Sequence, residues 1–140
     1  MNVVISGGTG FIGGALCRAL ASRGHDVVVL TRGRHEAPGP GIRPVLWRPG
    51  VPGVWEQDVE GAEAVVNLAG ESTMGQRWTP AYTHRILGSR VDATRSLVDA
   101  MRRASRKPGL LISASAVGYY GPRGDEELTE QAGPGSDFLA

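Results

Sequence analysis

Cysteine is nearly missing from this sequence. Cys17 stands alone, so no internal disulfide can form and a reducing compartment is expected. Lysine is equally scarce: the 15 basic residues are fourteen arginines and Lys107. Against 14 Asp and Glu they leave a net charge of +1, which gives no general attraction for nucleic acid or anionic lipid. Apolar runs such as 27–30 fall far short of the ~20 residues a membrane span needs. Met1-Asn2 leads straight into strand-like sequence without the basic start of a signal peptide. A cytoplasmic, soluble domain is expected, with neither membrane nor nucleic acid as partner. His25, His35 and His84 are scattered, and Asp125, Glu126, Glu127 and Glu130 are spaced like a solvated loop, so no metal is expected.

What is present is glycine, 21 residues of it, with 9 prolines. They gather at 7–14, 33–53, 70–75, 118–124 and 133–135, between segments that read as regular structure. Five short apolar segments read as buried strands: 3–5, 27–30, 44–47, 64–69 and 110–112. Ile12, Leu16 and Leu20 recur every fourth residue, which predicts a helix to about residue 23, stopped by Gly24. A short helical piece is expected near 55–59. The longest helix should run from Pro80 to about 106, docking through the stripe Leu87, Val91, Thr94, Val98 and Met101. The cations Arg102, Arg103, Arg106 and Lys107 then complement its C-terminal end. Everything from 116 to 134 reads as loop. Strands alternating with helices give an α/β fold. The simplest topology is a Rossmann-type, doubly wound parallel sheet of order 3-2-1-4-5, forming one domain over 1–140.

The segment Gly7-Gly8-Thr9-Gly10-Phe11-Ile12-Gly13 lies between the first strand and the first helix and satisfies G-x-G-x-x-G. Such a loop needs one glycine for the tight turn, one for backbone approach to a pyrophosphate and one for close helix packing. The helix start then offers free N–H groups to the phosphates. After the second strand an NAD site usually places an acid against the ribose 2′-hydroxyl. This chain has Thr31-Arg32-Gly33-Arg34 instead. A guanidinium binds a 2′-phosphate in a fork and stacks on adenine, so NADP is expected over NAD, with Arg32 the main contact and Thr31 assisting. Arg34 and His35 are weaker candidates. The fourth strand's exit, Asn67-Leu68-Ala69-Gly70, lies where the cofactor crosses the sheet.

Together GGTGFIG, VVNLAGE (65–71), RW (77–78), SRVDAT (89–94) and LISASAVGYYG (111–121) resemble the extended short-chain dehydrogenase/reductase superfamily. More narrowly they resemble its atypical epimerase-family branch, which is nucleoside-diphosphate-sugar epimerase-like. The resemblance implies that Gly7, Gly10, Phe11, Ile12 and Gly13 form the pyrophosphate loop and that Thr31 and Arg32 select NADP. It implies cofactor contacts from Leu68, Ala69 and Arg90, with Arg85 a less direct one. Ser115 matches the serine that bonds the reacting hydroxyl or carbonyl. Strand alternation turns Ser113 to the same face, so both serines stay candidates. The implied activity is that of an oxidoreductase or epimerase on a small molecule such as a nucleotide sugar.

The sequence also departs from that family. Ordinary members use Tyr-x-x-x-Lys, the lysine lowering the pKa of a tyrosine that serves as acid and base. Four residues after Tyr119 stands Arg123, and after Tyr120, Gly124. The tyrosine's position would fall at about 138–139. A non-catalytic NADPH-binding sensor is therefore the alternative. Family members run to about twice this length, so the chain is expected to be an N-terminal portion truncated before the remaining strands. Glu71, Arg77 and Trp78 read either as a substrate clamp or as structural residues, and Tyr119 and Tyr120 as pocket lining or loop packing. Cys17 reads as packing.

Overall fold

The computed structural model describes residues 1–33 and 39–140, so Arg34 and His35 lie outside the described residues. Five strands form one parallel sheet: β1 Asn2–Ser6, β2 Asp26–Thr31, β3 Ile42–Leu46, β4 Ala64–Asn67 and β5 Leu110–Ser113. Their order is β3-β2-β1-β4-β5, the winding expected from the sequence. The helices are α1 Phe11–Ala21, the single turn α2 Glu56–Val59 and the long α3 Pro80–Arg103. The stretch expected to be loop contains a 3-10 turn, Val117–Tyr120.

Alternation along the strands builds two cores. Val3, Ile5, Val27, Val29 and Val66 face α1 and its buried Cys17. Val4, Val28, Leu30 and Val65 face α3 and the pair Trp47 and Trp55. A strand buried on both faces has no polar side, which is why these segments read as continuous β-branched runs. Pro44 sits within β3, an edge strand, where the missing N–H costs least.

The docking faces of the helices depart from expectation in an instructive way. On α1, Leu16 and Leu20 pack against the core, but Ile12 is exposed and the residues fully buried are Gly13, Gly14 and Cys17. On α3 the expected stripe begins with Leu87, which is 55% exposed, and Val91 is exposed as well. The buried residues are Tyr82, Ile86, Ala93, Ser96, Leu97 and Ala100. Ile86, Ala93, Leu97 and Ala100 each precede a member of the expected set by one residue, so the helix is turned by ~100°. Alanines at 93 and 100 let its backbone approach the sheet, and this close fit outweighs the extra apolar bulk of the neighbouring stripe.

Both helix ends are fixed by identifiable groups. The Thr79 hydroxyl accepts from the Tyr82 N–H (3.2 Å) ahead of Pro80. Gly24 takes a left-handed φ of +76° after α1, as expected of a cap. Helix α3 ends three residues before the expected position because the Glu60 carboxylate accepts from the N–H groups of Ser105 and Arg106 (2.9 and 2.6 Å). Arg103 pairs with Glu56 at 2.7 Å, tying α2 to α3.

Candidate functional site

The β1–α1 loop can take its shape only with glycine at two positions. Gly7 has φ +73°, and a Cβ there would lie 2.6 Å from the carbonyl carbon of Leu68. At residue 13 a Cβ would come within 2.2 Å of the Gly7 carbonyl oxygen, so α1 presses directly on the loop. The Gly10 N–H donates back to the Gly7 carbonyl (3.0 Å), closing the turn that starts the helix. A helix start built this way directs unpaired N–H groups toward an anion.

A cavity of about 410 Å³ opens at the C-terminal ends of the strands. It is lined by Gly7 and Gly10, by Thr31 and Arg32, and by Leu68, Ala69 and Gly70. The site residues expected from three separate sequence segments thus converge on one crevice. A second cavity, of about 470 Å³, shares Leu68, Ala69 and Gly70 with the first and adds Arg90, Ser113, Ser115 and Tyr119. The two meet at Leu68, Ala69 and Gly70, the segment that follows β4.

Not every expected contact is in the crevice. Phe11 is 98% exposed, and neither it nor Ile12 or Gly13 lines either cavity. Gly13 acts through packing. The guanidinium of Arg85 lies over the Tyr82 ring, 5.1 Å from its centroid, and lines neither cavity. Arg90 is held firmly: Nη1 donates to the carbonyls of Glu71 (2.9 Å) and Ile86 (3.1 Å), and its guanidinium packs on Gly70. Trp78 donates to the Thr73 carbonyl (2.8 Å) and meets Phe138 edge-on, which fixes the loop after β4. Arg77 lines neither cavity, whereas Glu71 lines the first. Tyr119 lines the second and packs edge-on against Tyr120.

Beneath the crevice runs a polar network that the sequence reading did not foresee. The Ser6 hydroxyl donates to Oδ1 of Asn67 (2.7 Å). Nδ2 of Asn67 donates to the Thr94 hydroxyl (3.0 Å) and to that of Ser113 (3.4 Å). One amide thereby joins β1, β4, β5 and α3. Trp47, Pro49, Ser89 and Asp92 also line the first cavity. The sequence reading took Trp47 as the last residue of the third strand; β3 ends at Leu46, so Trp47 follows it at the end where such crevices form. Its Nε1–H is buried and has no hydrogen-bond partner among the described residues. The glycine cradle, which a Cβ at residue 7 or 13 would fill, fits a bound nucleotide.

The fold and the crevice define a dinucleotide-binding domain of the Rossmann type. The chain belongs to the NAD dependent epimerase/dehydratase family, whose model matches residues 3–138, and it has that family's NAD(P)-binding fold. It is 39% identical over 128 residues to the epimerase family protein SH2119 of Staphylococcus haemolyticus, covering 91% of this chain and 42% of that one. Among solved structures, human epimerase family protein SDR39U1 with NADPH is 33% identical, with a TM-score of 0.79 over 99% of this chain and 45% of that one. The nucleoside-diphosphate sugar epimerase from Corynebacterium glutamicum is 38% identical, with a TM-score of 0.76 over 98% of this chain and 27% of that one. The chain spans less than half the length of the curated relatives it matches.

Proposed function

We propose that this domain binds NADP(H) and serves an oxidoreductase or epimerase that acts on a small carbinol substrate, a nucleotide sugar being the favoured class. One observation carries the reading: Gly10 at the start of α1 and Arg32 after β2 line the same cavity. The pyrophosphate then rests against the α1 N–H groups, while Arg32, assisted by Thr31, holds the 2′-phosphate. The adenosine half occupies the first cavity, and the nicotinamide half extends past Leu68 and Ala69 into the second. When bound, the nicotinamide supplies hydride exchange. Ser115, with Ser113 beside it on the cavity wall, orients the substrate oxygen. The NADPH carried by the human relative and the name of the Corynebacterium relative support this choice of cofactor and substrate. We place the protein in the cytoplasm; among the described residues no helix is long and apolar enough to cross a membrane. The 140 residues are read as the N-terminal part of a longer enzyme.

A second reading, a non-catalytic NADPH sensor, is favoured by the missing Tyr-x-x-x-Lys. Titration of NADPH and NADH against the full chain tests the cofactor reading. Arg32→Ala should weaken NADPH by roughly 10- to 100-fold, the scale of a lost hydrogen bond to a charged group, and leave NADH unchanged. Equal affinity of the unaltered protein for both cofactors refutes it. Turnover of sugar nucleotides, followed by NADPH absorbance, separates enzyme from sensor.

A further inference from the structure

The orientation of the Asn67 amide is set by a group that can only donate. The backbone N–H of Ala69 points at Oδ1 (3.4 Å), as does the Ser6 hydroxyl (2.7 Å). Nδ2 therefore faces away from both, and its two protons go to the oxygens of Thr94 (3.0 Å) and Ser113 (3.4 Å). Each of these hydroxyls accepts from Asn67, so its own proton points elsewhere. On the same helix as Thr94, the hydroxyls of Ser89 and Ser96 turn their protons back to the carbonyls of Ile86 (3.0 Å) and Asp92 (2.7 Å). The Thr94 and Ser113 protons meet no acceptor among the described residues, and both side chains line the second cavity. Arg90, one turn before Thr94 on α3, is the only charged side chain on that wall among the described residues. Its Nη1 is taken by two carbonyls, and no Asp or Glu side chain lines the cavity to balance its charge.

We infer that this wall is a carboxylate subsite, in which Thr94 and Ser113 donate to the two oxygens and Asn67 is the positioning residue that directs them. The inference deepens the reading above and rests on it: the substrate is then a nucleotide sugar whose sugar is an acid. A carboxylate has acceptor sites only, so it takes both protons and brings none of its own. A sugar hydroxyl would add a proton to a wall that already has two unplaced. Hydrogen bonds to an ionised acceptor are also the stronger kind, and the Arg90 charge favours an anion over a neutral group. In the reading above the pyrophosphate rests at Gly10, which lines the first cavity and not the second, so the anion comes from the substrate. Ser115, two residues beyond Ser113, remains for the carbinol oxygen, which puts the carboxylate on a carbon close to the carbinol.

The test titrates UDP-glucuronic acid and UDP-glucose, which differ only at the sugar's terminal carbon, against the full chain saturated with tetrahydro-NADP, a form that transfers no hydride. UDP-glucuronic acid should bind more tightly. Thr94→Val and Ser113→Ala should each weaken it by roughly tenfold, the lower end for a hydrogen bond to a charged group, and leave UDP-glucose and the cofactor unchanged. Asn67→Asp keeps the shape, but its ionised carboxylate can only accept, so it draws both protons to itself and should abolish the preference. A purely structural Asn67 would weaken both nucleotides alike. If Asn67→Asp does not fold, the two hydroxyl variants still decide. Equal affinity of the unaltered protein for the two nucleotides, or variants that weaken both alike, overturns the inference and leaves the nucleotide-sugar reading standing. Variants that weaken the cofactor instead assign the anion to a cofactor phosphate and overturn it too. If neither nucleotide binds, the inference and the nucleotide-sugar reading fall together.

Discussion

Ser6 and Asn67 face each other across the β1–β4 boundary, and the Ser6 hydroxyl donates a 2.7 Å hydrogen bond to Oδ1 of Asn67 in the buried floor of the crevice. The other end of the same amide reaches Thr94 and Ser113, so its loss takes a hydrogen-bond partner from residues on β1, β5 and α3. Asn67→Leu should therefore destabilise the protein by about 2–3 kcal/mol, mostly because the buried Ser6 hydroxyl loses its acceptor and the half-buried Thr94 its donor, while the exposed Ser113 turns to water. Ser6→Ala removes one donor only and should cost about 1 kcal/mol. Urea unfolding of the two variants checks the ratio; equal costs would mean that Asn67 does not join the network.

Two glycine-to-alanine changes should move stability in opposite directions. At Gly13 the added methyl would meet the Gly7 carbonyl at 2.2 Å, so Gly13→Ala should be destabilising at or beyond the upper end of the ~1–3 kcal/mol typical of overpacking. Gly88 lies inside α3, where the nearest atom to a new Cβ is Asp92 Oδ2 at 3.9 Å. Gly88→Ala should stabilise by about 0.5–1 kcal/mol, the ordinary helical gain. Thermal melts of both variants suffice.

Cys17 is fully buried, and burial pushes its thiol above the usual range, although Arg18 opposes the shift. The folded state therefore favours the neutral thiol. Its contribution to stability is complete below the ordinary thiol pKa and is lost as pH rises through the raised folded value. Stability should decline on the alkaline side less steeply in Cys17→Ala, in which nothing titrates at this position. Native Cys17 should resist alkylation at neutral pH and react only after unfolding. Rapid native labelling would contradict this account.

Glu63 shows the opposite sign. Its carboxylate accepts from the Asn2 N–H, which holds its pKa below the usual carboxylate range. The associated stability is present above that range and is lost as pH falls through the lowered folded value. Glu63→Gln should flatten the acid limb of the pH–stability curve, measured by denaturant midpoints.

Strand β5 has one neighbour among the described residues, and Leu110 and Ile112 stand about half exposed on the face that carries Val66. An open, apolar edge invites pairing with other chains. Expressed as these 140 residues, the protein should self-associate as its concentration rises, and Ile112→Lys should suppress the effect. Sedimentation at several concentrations checks it; a cooperative, monomeric melt would refute it.

The elements were largely legible from the sequence because their causes are local. Val27–Leu30 is apolar at every position and β-branched at the first three, Gly24 can cap a helix wherever one ends, and the glycine loop needs its spacing to exist at all. The crevice residues Gly7, Gly10, Thr31, Arg32, Leu68 and Ala69 were legible for a related reason: in a parallel sheet, whatever follows a strand arrives at the same edge. Arg90, midway along α3, and Ser115 were expected only from the family resemblance.

The structure alone decided which face of each helix is buried. Leu87 and Ile86 are equally apolar, and only the approach of Ala93 and Ala100 to the sheet selects the second. It also decided the partners of Asn67 and the unpaired donor of Trp47, because these depend on groups distant in sequence meeting at fixed separations. Periodicity and residue chemistry act along the chain, whereas close packing and hydrogen-bond geometry act across it, and the second set exists only once the sheet has formed.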